Sequence, residues 1–257
     1  MEWIVVLLAG FFGGLLNAVA GGGSFLTLPA LIFAGLPAVS ANATGTAALL
    51  PGYIASAWRF RRDIQLPANM GLLTLSLLAI VGGSIGAAIL LVSSEQLFAQ
   101  LIPWLILFAT LAFILGPRLL QRNASQARHS ATPSSASKKQ QLGNIAVLLA
   151  VCIYGGYFNG GLGIILLATL GLMGQSNLHG MNGVKNLVSA LLTTVAVAVY
   201  AIGNAISLQY LLVLGVAAMA GGYVGAAFAY RIPTLYLRYF IVAVGIGMTA
   251  IFFFRLS

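Results

Sequence analysis

Residues 13–24 read Gly-Gly-Leu-Leu-Asn-Ala-Val-Ala-Gly-Gly-Gly-Ser, and residues 155–163 read Gly-Gly-Tyr-Phe-Asn-Gly-Gly-Leu-Gly. In both, a glycine pair stands three residues before an asparagine, Asn17 or Asn159, and a glycine cluster follows it: Gly21, Gly22 and Gly23, or Gly160, Gly161 and Gly163. A glycine costs a helix about 1 kcal/mol relative to alanine, so adjacent glycines mark breaks in the helices that carry them. Those breaks fall inside apolar runs, and the runs decide what kind of protein this is.

Moving outward, apolar runs lie at Trp3–Ala20, Ser40–Trp58, Ala68–Val92, Leu97–Gly116, Val184–Ile202, Leu208–Ala229 and Tyr236–Phe254. A longer interrupted run covers Leu142–Gly174, and Ser24–Leu36 is a short one that cannot cross a bilayer alone. About 18–25 apolar residues match a hydrocarbon core of about 30 Å at 1.5 Å per helical residue. With 60% hydrophobic and 6% charged residues over 257 positions, the chain has lipid as its solvent. The runs are too long and too little alternating for barrel strands, and a lipid-exposed segment must satisfy its own backbone, so the expected fold is an all-α polytopic membrane protein.

The net charge of +9 follows topology. Arg59, Arg61 and Arg62 follow one run, and Arg118, Arg122, Arg128, Lys138 and Lys139 lie in the polar stretch Gly116–Gln141. The positive-inside rule puts loops 59–67 and 117–141 in the cytoplasm, so the basic excess signals orientation and contact with membrane lipid, and no nucleic acid partner is expected. Glu2 takes the place of the basic start of a secretory signal, which favours keeping the first run in the mature protein. Cys152 is the one cysteine, too few for a disulfide or a metal cluster, and reads as a packing residue.

The two motifs are part of a longer correspondence. Asn42 in the first half is matched by Asn182, and Gly82-Gly83-Ser84-Ile85-Gly86-Ala87-Ala88 by Gly221-Gly222-Tyr223-Val224-Gly225-Ala226-Ala227. Each half thus holds one glycine-broken segment and three whole helices. We divide the chain into an N-terminal membrane repeat at 1–121, a polar cytoplasmic linker at 122–141 and a C-terminal membrane repeat at 142–257. If each broken segment crosses the membrane the repeats are parallel. If it enters and turns back they are inverted, and the shortness of Ser24–Leu36 and the break at Asn159–Gly163 favour this version. The later glycine sets serve close helix packing.

Polar residues gather near the breaks. A helix that restarts at Ser24 or Ile164 presents free N–H groups and the positive end of its dipole, an environment suited to an anion. Asn17, Gly22, Gly23, Ser24, Asn42, Thr44 and Thr46 in the first half, and Asn159, Gly161, Asn182, Lys185 and Asn186 in the second, are the candidate substrate-binding residues. The amides and hydroxyls are also ordinary helix caps. Lys185 stands four positions into an expected helix, where a lysine costs about 2.5–3.5 kcal/mol at the helix centre unless it snorkels or meets a negative partner. The acids are Glu2, Asp63 and Glu95, all at span ends or in loops, so a negative partner is a ligand. The same shortage of carboxylates disfavours metal-ion transport, and neither a metal site nor a cofactor is expected. His179 is the candidate for proton coupling, with a structural role at a loop end as the alternative.

The motif at 13–24, with Pro29 shortly after it and its shorter echo at 159–163, resembles the TauE/SafE sulfite exporter family, also called the toluene sulfonate uptake permease superfamily. The resemblance covers both halves. It implies secondary-type transport of sulfite, organosulfonates or related small anions across the bacterial inner membrane. The second motif departs from a full triple glycine. Alternating access between the repeats is the expected mechanism, driven by a proton or sodium gradient or by the anion's own. A homodimer through a Gly/Ala-rich face is compatible with the sequence. A passive anion channel and a non-transporting membrane assembly factor fit the composition as well. A membrane hydrolase would have to use Ser189 with Lys185, one helical turn apart, and no other catalytic motif supports it. The sequence also lacks a P-loop, so ATP does not drive the chain unaided.

Overall fold

A computed structural model describes residues 1–62, 64–67, 70–129, 138–175, 177–228 and 234–256, and side chains throughout these except at 19–20, 113, 116–129, 138, 178–179, 226–228, 234–241 and 255–256. Among the described residues the chain forms ten α-helices and no strand. They are α1 (Glu2–Ala20), α2 (Ser24–Phe33), α3 (Ala38–Arg59), α4 (Leu72–Val92), α5 (Glu95–His129), α6 (Lys138–Tyr157), α7 (Leu162–Leu172), α8 (Leu178–Ile202), α9 (Leu208–Phe228) and α10 (Thr234–Leu256). The chain is an all-α polytopic membrane protein. In order and length α1–α4 (19, 10, 22 and 21 residues) match α6–α9 (20, 11, 25 and 21), while α5 is longer than α10.

Four helices have the length and apolarity of membrane spans: α4, the first part of α5, α8 and α9. Their outer faces carry large apolar side chains, such as Leu73, Leu77 and Ile85 on α4 and Leu212 and Val216 on α9. Such faces suit lipid and not water. α3 is as long but less apolar, because it is central: residues 41–49 are buried without interruption. A helix screened from lipid by its neighbours can hold Asn42, Thr44 and Thr46 in its interior.

Each glycine cluster turns the chain back. Gly21 ends α1 at φ 76°, the left-handed region that suits glycine, and its N–H donates to the Leu16 and Asn17 carbonyls. α2 then folds along α1, with Gly23 against Gly13 and Asn17, and Thr27 against Gly13. At the far end of α2 the Tyr210 hydroxyl donates to the Ala34 carbonyl at 3.1 Å, while Trp3 stacks on Tyr210 with ring centroids 4.8 Å apart. α2 therefore ends near where α1 begins. In the second half Gly161, at φ 73°, opens α7 after α6, and the chain beyond α7 reaches Gln65, which lies between α3 and α4. Both broken segments are hairpins.

Helix directions follow from facing residues. Gly10, Gly14 and Leu15 of α1 meet Leu214, Ala218 and Gly225 of α9, so these two run parallel. Gly82 and Gly86 of α4 meet Cys152 and Tyr157 of α6, which are parallel as well. α8 runs with α4, since Gly83 faces Leu192 and Leu91 faces Gly203. α3 runs with α9, since Thr44 meets Ser207 and Leu49 clusters with Ala218. Glu95 Oε2 accepts the Val39 N–H at 3.0 Å, joining the starts of α3 and α5 at one end, where α4 also finishes. Hence α1, α3 and α9 point one way and α4, α6 and α8 the other. The first hairpin enters from the end that carries Glu2 and Glu95, and the second from the opposite, basic end, where Arg59, Arg61 and Arg62 follow α3.

The helix pairs touch because glycine lets them. A side chain at Gly14, Gly86 or Gly221 would overlap the backbone of the facing helix at Ala218, Ile153 or Phe11. One expectation is corrected. The polar stretch expected as a loop at 117–141, with the linker at 122–141, is helical where it is described: α5 continues to His129 and α6 opens at Lys138, while 130–137 lie outside the described residues. Arg, Leu, Gln and Ala between 118 and 128 are good helix formers, and they carry α5 well beyond its apolar part.

This packing separates two kinds of glycine experimentally. Gly86→Ala and Gly221→Ala should lower the unfolding midpoint of the detergent-solubilised protein, with a cost of about 1–3 kcal/mol from overpacking. Gly143→Ala, on α6 with open space around it, should be neutral or stabilising by about 0.5–1 kcal/mol. Equal behaviour of all three in a thermal-shift assay would remove close helix approach as the role of these glycines.

Candidate functional site

The two hairpin tips meet in the protein interior. A Cβ built on Gly21 would lie 3.4 Å from the Gly163 Cα, so the backbones of the two breaks are in direct contact. Beside them runs the stem of Lys185, whose Cδ and Cε lie 3.5 and 4.0 Å from the position of a Cβ on Gly163. Lys185 is half-buried in the early turns of α8. It thus stands next to the start of α7, where the helix dipole is itself positive, an arrangement that favours a negative charge between them. Of the three acids, Glu95 serves the Val39 N–H and Glu2 opens α1, while Asp63 lies outside the described residues.

A helix broken at membrane depth leaves carbonyls without partners, and the protein must supply them. In the second hairpin it does so with side chains. The Tyr200 hydroxyl donates to the Gly156 carbonyl, Asn42 Nδ2 to the Tyr157 carbonyl at 3.0 Å, and the Tyr154 hydroxyl to the Gly160 carbonyl at 2.7 Å. Asn159 is 1% exposed, and its amide is used on both sides: Oδ1 accepts from the Tyr53 hydroxyl at 3.0 Å, and Nδ2 donates to Thr193 Oγ1 at 3.3 Å.

The first hairpin is less complete. The Asn17 side chain lies near the same Tyr53 phenol, and its Oδ1 is buried without a hydrogen-bond partner among the described residues, as are Thr27 Oγ1 and Ser189 Oγ on α8. Buried polar atoms left unpaired are costly, so they mark places where water or a ligand would complete the structure. Asn17 also borders a cavity of about 570 Å³ between α1, α3 and α9.

The sequence-derived residues divide accordingly. Asn17, Gly22, Gly23 and Ser24 lie at the first break, Asn159 and Gly161 at the second, with Lys185 beside it. Gly161 packs on Ala109 of α5. Asn42 and Thr44 use their side chains to tie helices together, Asn42 on α6 and Thr44 Oγ1 by accepting the Ser207 N–H at 3.0 Å. Thr46 and Asn186 are buried, and Asn182 is half-buried in α8. The side chain of His179 lies outside the described residues. Sequence reasoning passed over Tyr53, Tyr154, Tyr200 and Thr193. Tyr154 has one signal, its position well inside the apolar run at 142–174 and away from the interfaces where tyrosine is normally found; Tyr53, Tyr200 and Thr193 have none.

Comparison with known proteins follows this geometry. The profile of the family described as "Sulfite exporter TauE/SafE" matches residues 6–252. A Haemophilus influenzae protein named "Probable membrane transporter protein" is 26% identical over 234 residues, covering 86% of this chain and 81% of its own. The Escherichia coli K12 protein named "Probable membrane transporter protein YfcA" is 31% identical over 117 residues, 46% of this chain and 42% of its own length.

The Tyr53–Asn159 bond joins α3 to the second break, and a double-mutant cycle of Tyr53→Phe and Asn159→Ala should give a coupling energy of about 0.6–1.7 kcal/mol in reversible unfolding. Strict additivity would mean that the bond contributes nothing to holding the break.

Proposed function

Given that the chain belongs to the TauE/SafE sulfite exporter family, we propose that it is a secondary-type transporter of the bacterial inner membrane that moves a small anion, such as sulfite or an organosulfonate, by alternating access between its two halves. The observation that carries this reading is the meeting of two oppositely directed hairpin tips, Gly21 against Gly163, with the Lys185 stem alongside. Two helix starts and one ammonium group then share a small interior volume, and among the described residues no carboxylate is placed there to neutralise them. An anion supplies that charge, held by the N–H groups at the start of α2, by Lys185, and by the hydroxyls of Ser24 and Ser189.

Halves that enter from opposite ends give the site two routes of access related by pseudo-symmetry, the arrangement on which rocking transporters depend. Toward the end away from the arginines, α4 and α8 are packed together, with Leu91 on Gly203 and Leu192 on Gly83. That packing, set against the cavity at the basic end, supports alternating access over a passive channel. The basic end, with Arg59, Arg61 and Arg62, is cytoplasmic by the positive-inside rule. Names of the relatives support the transport class.

Purified protein in liposomes should show saturable flux of sulfite or a sulfonate and none of simple cations. Lys185→Ala should reduce kcat/KM at least about tenfold, the equivalent of losing one charge-assisted hydrogen bond, with Lys185→Arg retaining part of it. An unchanged thermal midpoint of the variants excludes misfolding as the cause. Flux of a cation in place of an anion would end the anion reading, and a folded protein that moves no solute would favour the assembly-factor alternative.

A further inference from the structure

The cavity between α1, α3 and α9 has a filled counterpart in the other half. Ten residues past the paired asparagines Asn42 and Asn182 stand Gly52 on α3 and Leu192 on α8, and the paired glycine motifs set Gly222 of α9 opposite Gly83 of α4. Leu192 is fully buried and packs on Gly83 and Gly155, closing α8 onto α4. Gly52 has no side chain to do the same. The nearest atom to a Cβ built on it is Asn17 Nδ2 at 3.8 Å, and to one on Gly222 the Gly14 carbonyl at 3.7 Å. The same helix pairing is therefore sealed toward one end of the protein and hollow toward the other.

The hollow has a polar direction. Gly52, Ser56 and Arg59, spaced by four and then three residues, share one face of α3 and line it. Asn17, with its unpaired Oδ1, lies on the inner wall level with Gly52, near Tyr53, whose hydroxyl reaches Asn159 of the second break. Arg59 is the charged residue of the lining and stands at the basic end, with Arg61 and Arg62 just beyond. Met219 and Tyr223 of α9 form the rim on the lipid side.

We propose that this cavity is the water-filled vestibule through which a small anion passes between the basic end and the central site, with Arg59 drawing anions into it and Ser56 and Asn17 on its wall. The proposal rests on the transport reading and adds residues to the pathway. A small hydrated anion is the occupant that fits an arginine at the mouth with a hydroxyl and an amide on the wall; a lipid chain would leave Ser56, Arg59 and Asn17 unmatched.

Thiol chemistry tests this without depending on flux. In a Cys152→Ala background, Ser56→Cys and separately Ala55→Cys are exposed, in inverted vesicles, to methanethiosulfonate reagents carrying a sulfonate or a trimethylammonium group, with Leu212→Cys on the outer face of α9 as the lipid-facing control. Charged reagents should modify the vestibule cysteines and spare the control. Adding Arg59→Gln should lower the ratio of anionic to cationic reaction rates by about three-fold, since a single charge at a low-dielectric mouth focuses anions. The proposal is overturned if the cavity cysteines react only with an uncharged maleimide, as in a lipid-filled groove. Disulfide-linked dimers, as in a self-association face, would overturn it too, as would a rate ratio indifferent to Arg59. Flux is measured on the same preparations. Its absence in the wild type would defeat the transport reading while the reagent ratio still reports on the vestibule; normal flux after complete modification of Ser56→Cys would defeat the vestibule alone.

Discussion

A backbone that stops being helical at membrane depth must find partners for its exposed N–H and C=O groups inside the protein, because lipid offers none. Two such interruptions occur here, and much of the interior is organised to tolerate them. Tyr200, Asn42 and Tyr154 supply donors to the carbonyls around the second break, while Asn159 is held between Tyr53 and Thr193. The chain that makes the break and the chain that repairs it lie far apart in sequence: Asn42 and Tyr157 are 115 positions apart, Tyr53 and Asn159 106. A broken helix of this kind cannot be stable until both halves have assembled around it. The breaks therefore couple the two halves more tightly than apolar packing would, since lipid competes on equal terms for apolar surface.

The unequal treatment of the two hairpins bears on function. Side chains from three helices fasten the second one, whereas the first retains buried polar atoms at Asn17 and Thr27 with no partner among the described residues. On the side of the looser hairpin, the residue that stands for Leu192 is Gly52, and a cavity replaces a sealed contact. Inverted halves of identical packing would leave a protein equally closed at both ends. The departures from symmetry at Gly52 and Asn17 leave a cavity on the same side as the arginine cluster.

Much was legible from residues alone, for reasons that can be named. The runs of apolar residues, the glycine clusters at 21–23 and 160–163, and the placement of Arg59, Arg61 and Arg62 are local signals with local physical meanings: solvent preference, helix breaking and charge at a boundary. They led to the all-helical membrane fold, to the positions of both breaks and to the family. The roles of Asn42 and Thr44 were not legible. An amide or hydroxyl in an apolar helix has the same local appearance whether it holds a ligand or the next helix, and here both hold helices. Tyr53 and Tyr200 were passed over because a tyrosine amid apolar residues looks like bulk until its hydroxyl is seen on an amide or a carbonyl.

By itself, then, the sequence determined that lipid is the solvent, that helices must span it and where two of them must break, since each of these depends on a few neighbouring residues. Only the tertiary structure decided that the hairpins enter from opposite ends, that Gly21 rests on Gly163 beside Lys185, and that the packing around Gly52 is hollow where Leu192 fills its counterpart. These depend on which helix faces which and in what direction. That is settled by contacts between residues more than a hundred positions apart, for which a chain read in order contains no periodic signal.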